Sequence, residues 1–215
     1  MIRIMIEFMA RLHKAMFRSS ASRVATAVGR VFFAQRLLFG LIIALLAGLL
    51  IRPHISWSHW TALKGLSALL VLFGLSLRAL AGGFAGRHTR TSEMSAPRLV
   101  TGGTYAFVRN PIYAGSMAIG LGLVGFLGSW IALIPYGMVF ALFYFFVIPA
   151  EEHFLRKTFG PQYDEYCRNV PRFFPRLTPW PNGEKSAFDW APVLGEWRVV
   201  LAIALISGFF TIISL

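Results

Sequence analysis

Charged side chains leave four long gaps in this chain. Residues 37–51 form 15 uninterrupted positions between Arg36 and Arg52, nearly all aliphatic, and Arg78 is the one charge between Lys64 and Arg87. A third gap of 41 residues separates Arg109 from Glu151, and the last 17 residues, 199–215, are again uncharged. A helix crosses a bilayer with about 20 apolar residues, so the 41-residue gap holds two spans, folded back at Leu127-Gly128-Ser129-Trp130. The run 37–51 is short for a span, but Arg36 and Arg52 can snorkel and apolar 31–34 extends it. The pattern predicts an all-α fold: a multi-pass transmembrane helical bundle of about five spans, near 35–52, 63–84, 110–127, 130–149 and 198–215. In residues 1–36, Ile2, Ile4, Ile6, Phe8, Met9, Leu12, Met16 and Phe17 alternate with Arg3, Arg11, Lys14 and Arg18. That alternation predicts an amphipathic helix lying in the membrane interface. Its apolar core begins late and no small-residue cleavage site follows, so no signal peptide is expected. The organisation expected is an interfacial segment 1–36 and a membrane domain 37–215. Within that domain 100–177 is the core, and 178–215 a linker with an extra apolar helix.

Composition agrees with the gaps. Of 215 residues, 56% are hydrophobic and 14% charged, against about a quarter charged in soluble proteins, too few to cover a water-facing surface. The single cysteine, Cys167, excludes an intrachain disulfide and any multi-cysteine metal site. The formal charge of +12 admits nucleic acid or anionic lipid as a partner, and the positions of the charges choose between them. Seven basic residues lie in 1–36, five in 78–110 and seven in 151–198, whereas 52–64 holds two and the hairpin turn none. Nineteen of 21 therefore fall on one side of the predicted bundle, as the positive-inside rule places cytoplasmic segments. The charge is then spent on topology and membrane lipid headgroups, not nucleic acid. The expected location is an integral, multi-pass position with the basic segments in the cytoplasm, as in a bacterial inner membrane.

Two of the basic segments are too specific to be plain connectors. The first runs through Gly102-Gly103-Thr104-Tyr105-Ala106-Phe107-Val108-Arg109-Asn110-Pro111-Ile112-Tyr113-Ala114-Gly115. Pro111 suits the first position of a helix and Asn110 its cap. The free N–H groups there can hold an anion such as a carboxylate, with Arg109 adding a bidentate contact. The plainer reading is a capped helix start with Arg109 on headgroups. The second segment opens with Glu151 and Glu152 directly after the uncharged run. Adjacent helical residues point about 100° apart, so at most one of these carboxylates lines a cavity, and Glu152 can instead pair with Arg156 at i,i+4. Acids bordering a membrane core tend to be functional, although an interfacial role explains them too.

Taken in order, these segments resemble a known family. Arg109-Asn110-Pro111-x-Tyr113-x-Gly115, a hairpin, Glu151-Glu152, then Phe159-Gly160-x-x-Tyr163-x-x-Tyr166 and Val170-Pro171-Arg172-Phe173-x-Pro175 look like the isoprenylcysteine carboxyl methyltransferase and phospholipid methyltransferase superfamily. The resemblance covers roughly 101–177, about a third of the chain. It implies an integral membrane enzyme that uses S-adenosyl-L-methionine and releases S-adenosyl-L-homocysteine. It also implies a cofactor pocket at Arg109, Asn110, Pro111, Tyr113, Glu151, Glu152, Tyr163, Tyr166, Pro171 and Arg172, with Tyr105 and Val108 of the first segment beside them. Asn110 stands where the family usually has histidine, and asparagine cannot titrate near neutrality. The apolar segment after Leu177 is a second departure.

What the resemblance implies for the chemistry is alignment of nucleophile, methyl and sulfur in line. A carboxylate acceptor needs no base; an amine acceptor would draw on Glu151 or Glu152. Glu152 and Arg172 are the expected catalytic pair, Glu152 near the amino group or sulfonium of the cofactor, Arg172 orienting a carboxylate. Tyr163 and Tyr166 either wall the adenine or simply pack at i,i+3. The expected acceptor is a lipophilic molecule arriving from the bilayer, first an isoprenylcysteine-like carboxylate, alternatively a phospholipid amine; a non-enzymatic scaffold of the same fold is the third reading. No metal is expected. Gly120-x-Gly122-x-x-Gly125 matches a dinucleotide fingerprint in letters, but within an uncharged span it reads as helix packing. His54 and His59 beside Trp57 and Trp60 read as an interfacial belt, Cys167 has no helper base, and Arg78 can snorkel or approach the pocket.

Overall fold

The computed structural model describes residues 57–86, 96–128, 130–184 and 187–213. The expected interfacial helix of 1–36, the span near 35–52 and His54 lie outside them. Among the described residues the fold is all helical, without a strand. Helix α1 is Trp57–Ala85 and α2 is Pro111–Leu127. Helix α3, Leu133–Leu142, passes through a π-helical turn, Phe143–Val147, into α4, Ile148–Phe159. Then come α5, Pro161–Asn169, the short α6, Trp190–Leu194, and α7, Trp197–Ile213. Two stretches, Ala62–Ala85 and Leu133–Phe159, are long and apolar enough to cross a membrane.

Helices α1 and α2 pack closely because glycines line their seam. A Cβ on Gly115 would lie 2.7 Å from the Gly74 carbonyl oxygen, and one on Gly122 would lie 2.8 Å from the Ser67 oxygen. Small residues let helix backbones approach to this degree. Gly122 and Gly125 of the fingerprint-like run face Ser67 and Val71 of α1, while Gly120 faces the Tyr136 ring of α3. They serve helix packing.

The hairpin turns where the sequence places it. Helix α2 ends at Leu127 and Gly128 caps it at φ 59°, a left-handed conformation that glycine adopts without cost. One boundary differs. The span expected to end near 149 continues as helix to Phe159, because Glu151, Glu152, Arg156 and Lys157 are good helix formers once the apolar run ends. The long apolar helix therefore ends in a polar turn of its own.

The C-terminal segment returns to α1. The Asp189 N–H donates to the Gly83 carbonyl at 2.9 Å, and Phe188 stands edge-on to Phe84 at 5.2 Å. The Asp189 side chain accepts from the Ala191 N–H and caps α6. Glu196 then meets Arg78 of α1, with Nε to Oε2 at 3.0 Å.

Candidate active site

The two segments singled out in the sequence fold onto each other. Backbone bonds join them: Arg109 N–H to Pro171 O at 2.9 Å, Arg176 N–H to Phe107 O at 3.0 Å and Trp180 N–H to Ala106 O at 2.9 Å. The Tyr166 hydroxyl adds a bond to the Tyr105 carbonyl at 2.8 Å. Beneath this junction Leu99, Tyr163, Tyr166 and Val170 form a buried apolar cluster, flanked by Leu155, Phe159, Cys167 and Trp180. Helix α5 carries both tyrosines inward because 163 and 166 are three apart on one face. Gly160, at φ 52°, makes the bend that folds α5 back against α4.

At the junction one carboxylate serves two guanidiniums. Arg172 donates through Nε to Glu152 Oε1 at 2.9 Å and through Nη2 to Oε2, a bidentate pair. Arg109 Nη2 lies 3.5 Å from the same Oε1. The three side chains are enclosed: Glu152 is 8% exposed, Arg109 12% and Arg172 18%. Arg109 Nε is buried without a hydrogen-bond partner, as is the Thr104 hydroxyl. Burial works against charge on Arg172, but its hydrogen bonds to Glu152 and the charge of that carboxylate prevail and hold the guanidinium above its ordinary value.

Asn110 behaves differently from the expectation. Pro111 does open α2, yet the Asn110 side chain makes no cap bond and donates instead to the Arg172 carbonyl at 3.3 Å. The folded-back loop offers a buried acceptor that competes for the side chain. Nor does Glu152 pair with Arg156 along the helix; Arg156 reaches Asp164 of α5 at 2.7 Å on the exposed side. Glu151, half-buried, bears electrostatically on Tyr105, whose hydroxyl is pushed far above the usual range by burial, then by Glu151, against the pull of Arg78. Burial raises Tyr163 and Tyr166 similarly, so all three remain protonated.

The remaining residues fall around this centre. Val108 is buried between Tyr105 and Arg109, and Pro171 supplies the carbonyl that fixes Arg109. Tyr113 stands one turn into α2 against the Phe143 ring at 5.8 Å. Tyr163 and Tyr166 are enclosed in the apolar cluster below, where they support the junction by packing. Sequence reasoning missed an aromatic group. Tyr144 sits 5.5 Å under the Arg172 guanidinium and 5.6 Å from Phe173, and Phe140 is 5.9 Å from Phe173. Nothing in the sequence distinguished these aromatics from the many others of the apolar run; the structure sets Tyr144 in the π-helical turn, a feature that concentrates at functional sites. Among the described residues no group of three His, Cys, Asp or Glu is placed to hold a metal ion.

Known proteins carry the same pattern. A family model described as phospholipid methyltransferase matches residues 61–162. Protein-S-isoprenylcysteine O-methyltransferase B of Arabidopsis thaliana is 30% identical over 138 residues, 62% of this chain and 69% of that protein. The nickel-cobalt-cadmium resistance protein NccN of Alcaligenes xylosoxydans xylosoxydans is 32% identical over 130 residues, 60% of this chain and 59% of its own length. The protein-S-isoprenylcysteine O-methyltransferase of Schizosaccharomyces pombe is 36% identical over 79 residues, 37% of this chain and 34% of that protein. No solved structure matches. The stretch 61–162 contains the Arg109 motif and the glutamate pair, and on these matches the chain belongs to the isoprenylcysteine carboxyl methyltransferase and phospholipid methyltransferase superfamily of membrane-associated methyltransferases.

Proposed function

We propose that this chain transfers a methyl group from S-adenosyl-L-methionine to a lipophilic acceptor, the carboxylate of an isoprenylcysteine-like molecule. The observation that carries the reading is the enclosed cluster of Arg109, Glu152 and Arg172. Two cations sharing one anion leave one positive charge over, and Arg109 Nε has a hydrogen to give. A buried excess charge is costly until an anion meets it. The amino-acid end of the donor presents a carboxylate, and so does the acceptor.

The residues fit the donor. Arg109 and Arg172 hold its carboxylate, Glu152 takes its ammonium, and Tyr105, Val108, Asn110, Pro111, Tyr113 and Pro171 form the walls. When bound, the donor supplies an electrophilic methyl on a sulfonium, and S-adenosyl-L-homocysteine is released afterwards. Tyr144 presents a ring face to cationic charge. The aromatic and aliphatic surround would shield the methyl and an acceptor carboxylate from water. The catalytic work of this chain is orientation by Glu152 and Arg172.

The family description favours a second acceptor, a phospholipid amine. There Glu151 or Glu152 takes the proton that the amine must lose. In either case we place the bundle as five spans of a bacterial inner membrane, with the site on the basic, cytoplasmic side.

The test is transfer of a radiolabelled methyl group in proteoliposomes that contain prenylcysteine and phosphatidylethanolamine. The expected product is a base-labile ester on the prenylcysteine. Base-stable label in phospholipid would move the assignment to the amine, and no incorporation with either acceptor would overturn the enzymatic reading.

A further inference from the structure

Residues 172–177 follow α5 and belong in the sequence to the basic segment expected on the cytoplasmic, aqueous side. Their packing places them elsewhere. Phe173 lies against Phe140 and Tyr144, and Phe140 stands ten residues before Ala150, the last uncharged residue of the long gap. At 1.5 Å per residue that is about 15 Å along the helix axis, inside the hydrocarbon if Leu133–Phe159 spans the bilayer.

Protein bonds reach part of the backbone at the loop and its base. Irregular chain survives in hydrocarbon only where protein satisfies its polar groups. Pro171 O is bonded by the Arg109 N–H, Arg172 O by Asn110 and the Arg176 N–H by Phe107 O, and Pro175 has no N–H to satisfy. The Arg172 side chain reaches from the loop to Glu152, as a cation at apolar depth extends toward polar groups. The most exposed hydrophobic side chains of the loop are Phe174, 82% exposed, and Leu177, 100%, while the half-buried Arg176 turns back to the Asn169 carbonyl at 2.9 Å. In water, two such residues on one short loop would be unfavourable.

We propose that residues 172–177 are a lip dipped into the acyl region of the bilayer, with Phe174 and Leu177 as its lipid anchors. The site arginine is then carried on a membrane-inserted loop, and that side of the charged cluster faces lipid. The proposal rests on the reading of Leu133–Phe159 as a span, and the test separates the two.

Single cysteines are placed at 177, 174, 138 or 162 in full-length chain bearing Cys167→Ala (Leu177→Cys, Phe174→Cys, Met138→Cys, Gln162→Cys). Each is labelled with a nitrobenzoxadiazole fluorophore and reconstituted into phosphatidylcholine–phosphatidylglycerol vesicles. Quenching by doxyl-labelled phosphatidylcholine is compared with quenching by aqueous iodide. Met138 is exposed on the spanning helix and Gln162 is exposed on α5, so they mark lipid and water. The expected result is severalfold stronger quenching by doxyl lipid than by iodide at 177 and 174, as at 138, with the reverse at 162. If 138 is quenched by doxyl lipid while 177 and 174 respond to iodide, the lip is overturned. Protection of 177 and 174 from both quenchers, meaning another protein segment covers them, overturns it equally. Failure of doxyl lipid to quench 138 removes the span and this inference together.

Discussion

Arg78 and Arg109 are both enclosed beside a glutamate, one on the seam of α1 and α2 and the other at the mouth of α2. Around Arg78 the polar groups match the guanidinium. Nε and Nη2 reach Glu196 at 3.0 and 3.3 Å, and Nη1 reaches Ser116, whose hydroxyl donates onward to the Ile112 carbonyl at 2.9 Å. This ion pair fastens the C-terminal segment to the helices. Around Arg109 a single carboxylate is divided between two cations, and one guanidinium N–H is unused. The balanced pair closes a fold. The unbalanced triad leaves charge and a donor for something else, so burial of an arginine by itself does not mark a site. What marks it is the remainder after the partners are counted.

Four substitutions test that contrast. The largest effect is expected from Glu152→Gln, which removes the carboxylate on which Arg109 and Arg172 converge while keeping its shape. Methyl transfer should fall on the order of 100-fold, because loss of alignment alone is worth that much, with methyl incorporation as the readout. A decrease below threefold would remove Glu152 from the reaction. Next is Arg78→Met, which leaves Glu196 without its cation and should lower unfolding stability in detergent by about 3 kcal/mol. The double variant Arg78→Met with Glu196→Leu should recover most of that loss, since a balanced pair can be replaced by apolar residues. Equal destabilisation in single and double variants would show that the pair does not act as a unit. The smallest effect belongs to Asn110→Ala. It deletes one hydrogen bond to the Arg172 carbonyl and should cost about 1 kcal/mol of stability, read by the same unfolding measurement. A loss as large as that of Arg78→Met would mean that Asn110 holds more than the loop.

Much of the architecture was legible because its cause is local. The uncharged stretch between Arg109 and Glu151 demanded two helices, Gly128 supplied the left-handed turn between them, and Pro111 set the start of α2. The Arg109 and Glu151–Glu152 motifs named two segments whose side chains the structure brings together. Spacing could not reveal the bond from Asn110 to Arg172, 62 positions away, or the pair of Arg78 and Glu196, 118 apart. Adjacent glutamates also present two faces, and the roll of a helix decides which turns inward.

By itself, then, the sequence determined which stretches avoid water, where the chain reverses and which short segments are candidates for the chemistry, since periodicity and charge act over a few residues. Only the tertiary structure decided that Glu152 is the inward carboxylate, that two arginines share it and that Phe173 packs against Phe140 and Tyr144. Those outcomes depend on how the π-helical turn rotates α4 and on how 106–109 hydrogen-bonds with 171–180, and both arise from contacts between distant parts of the chain.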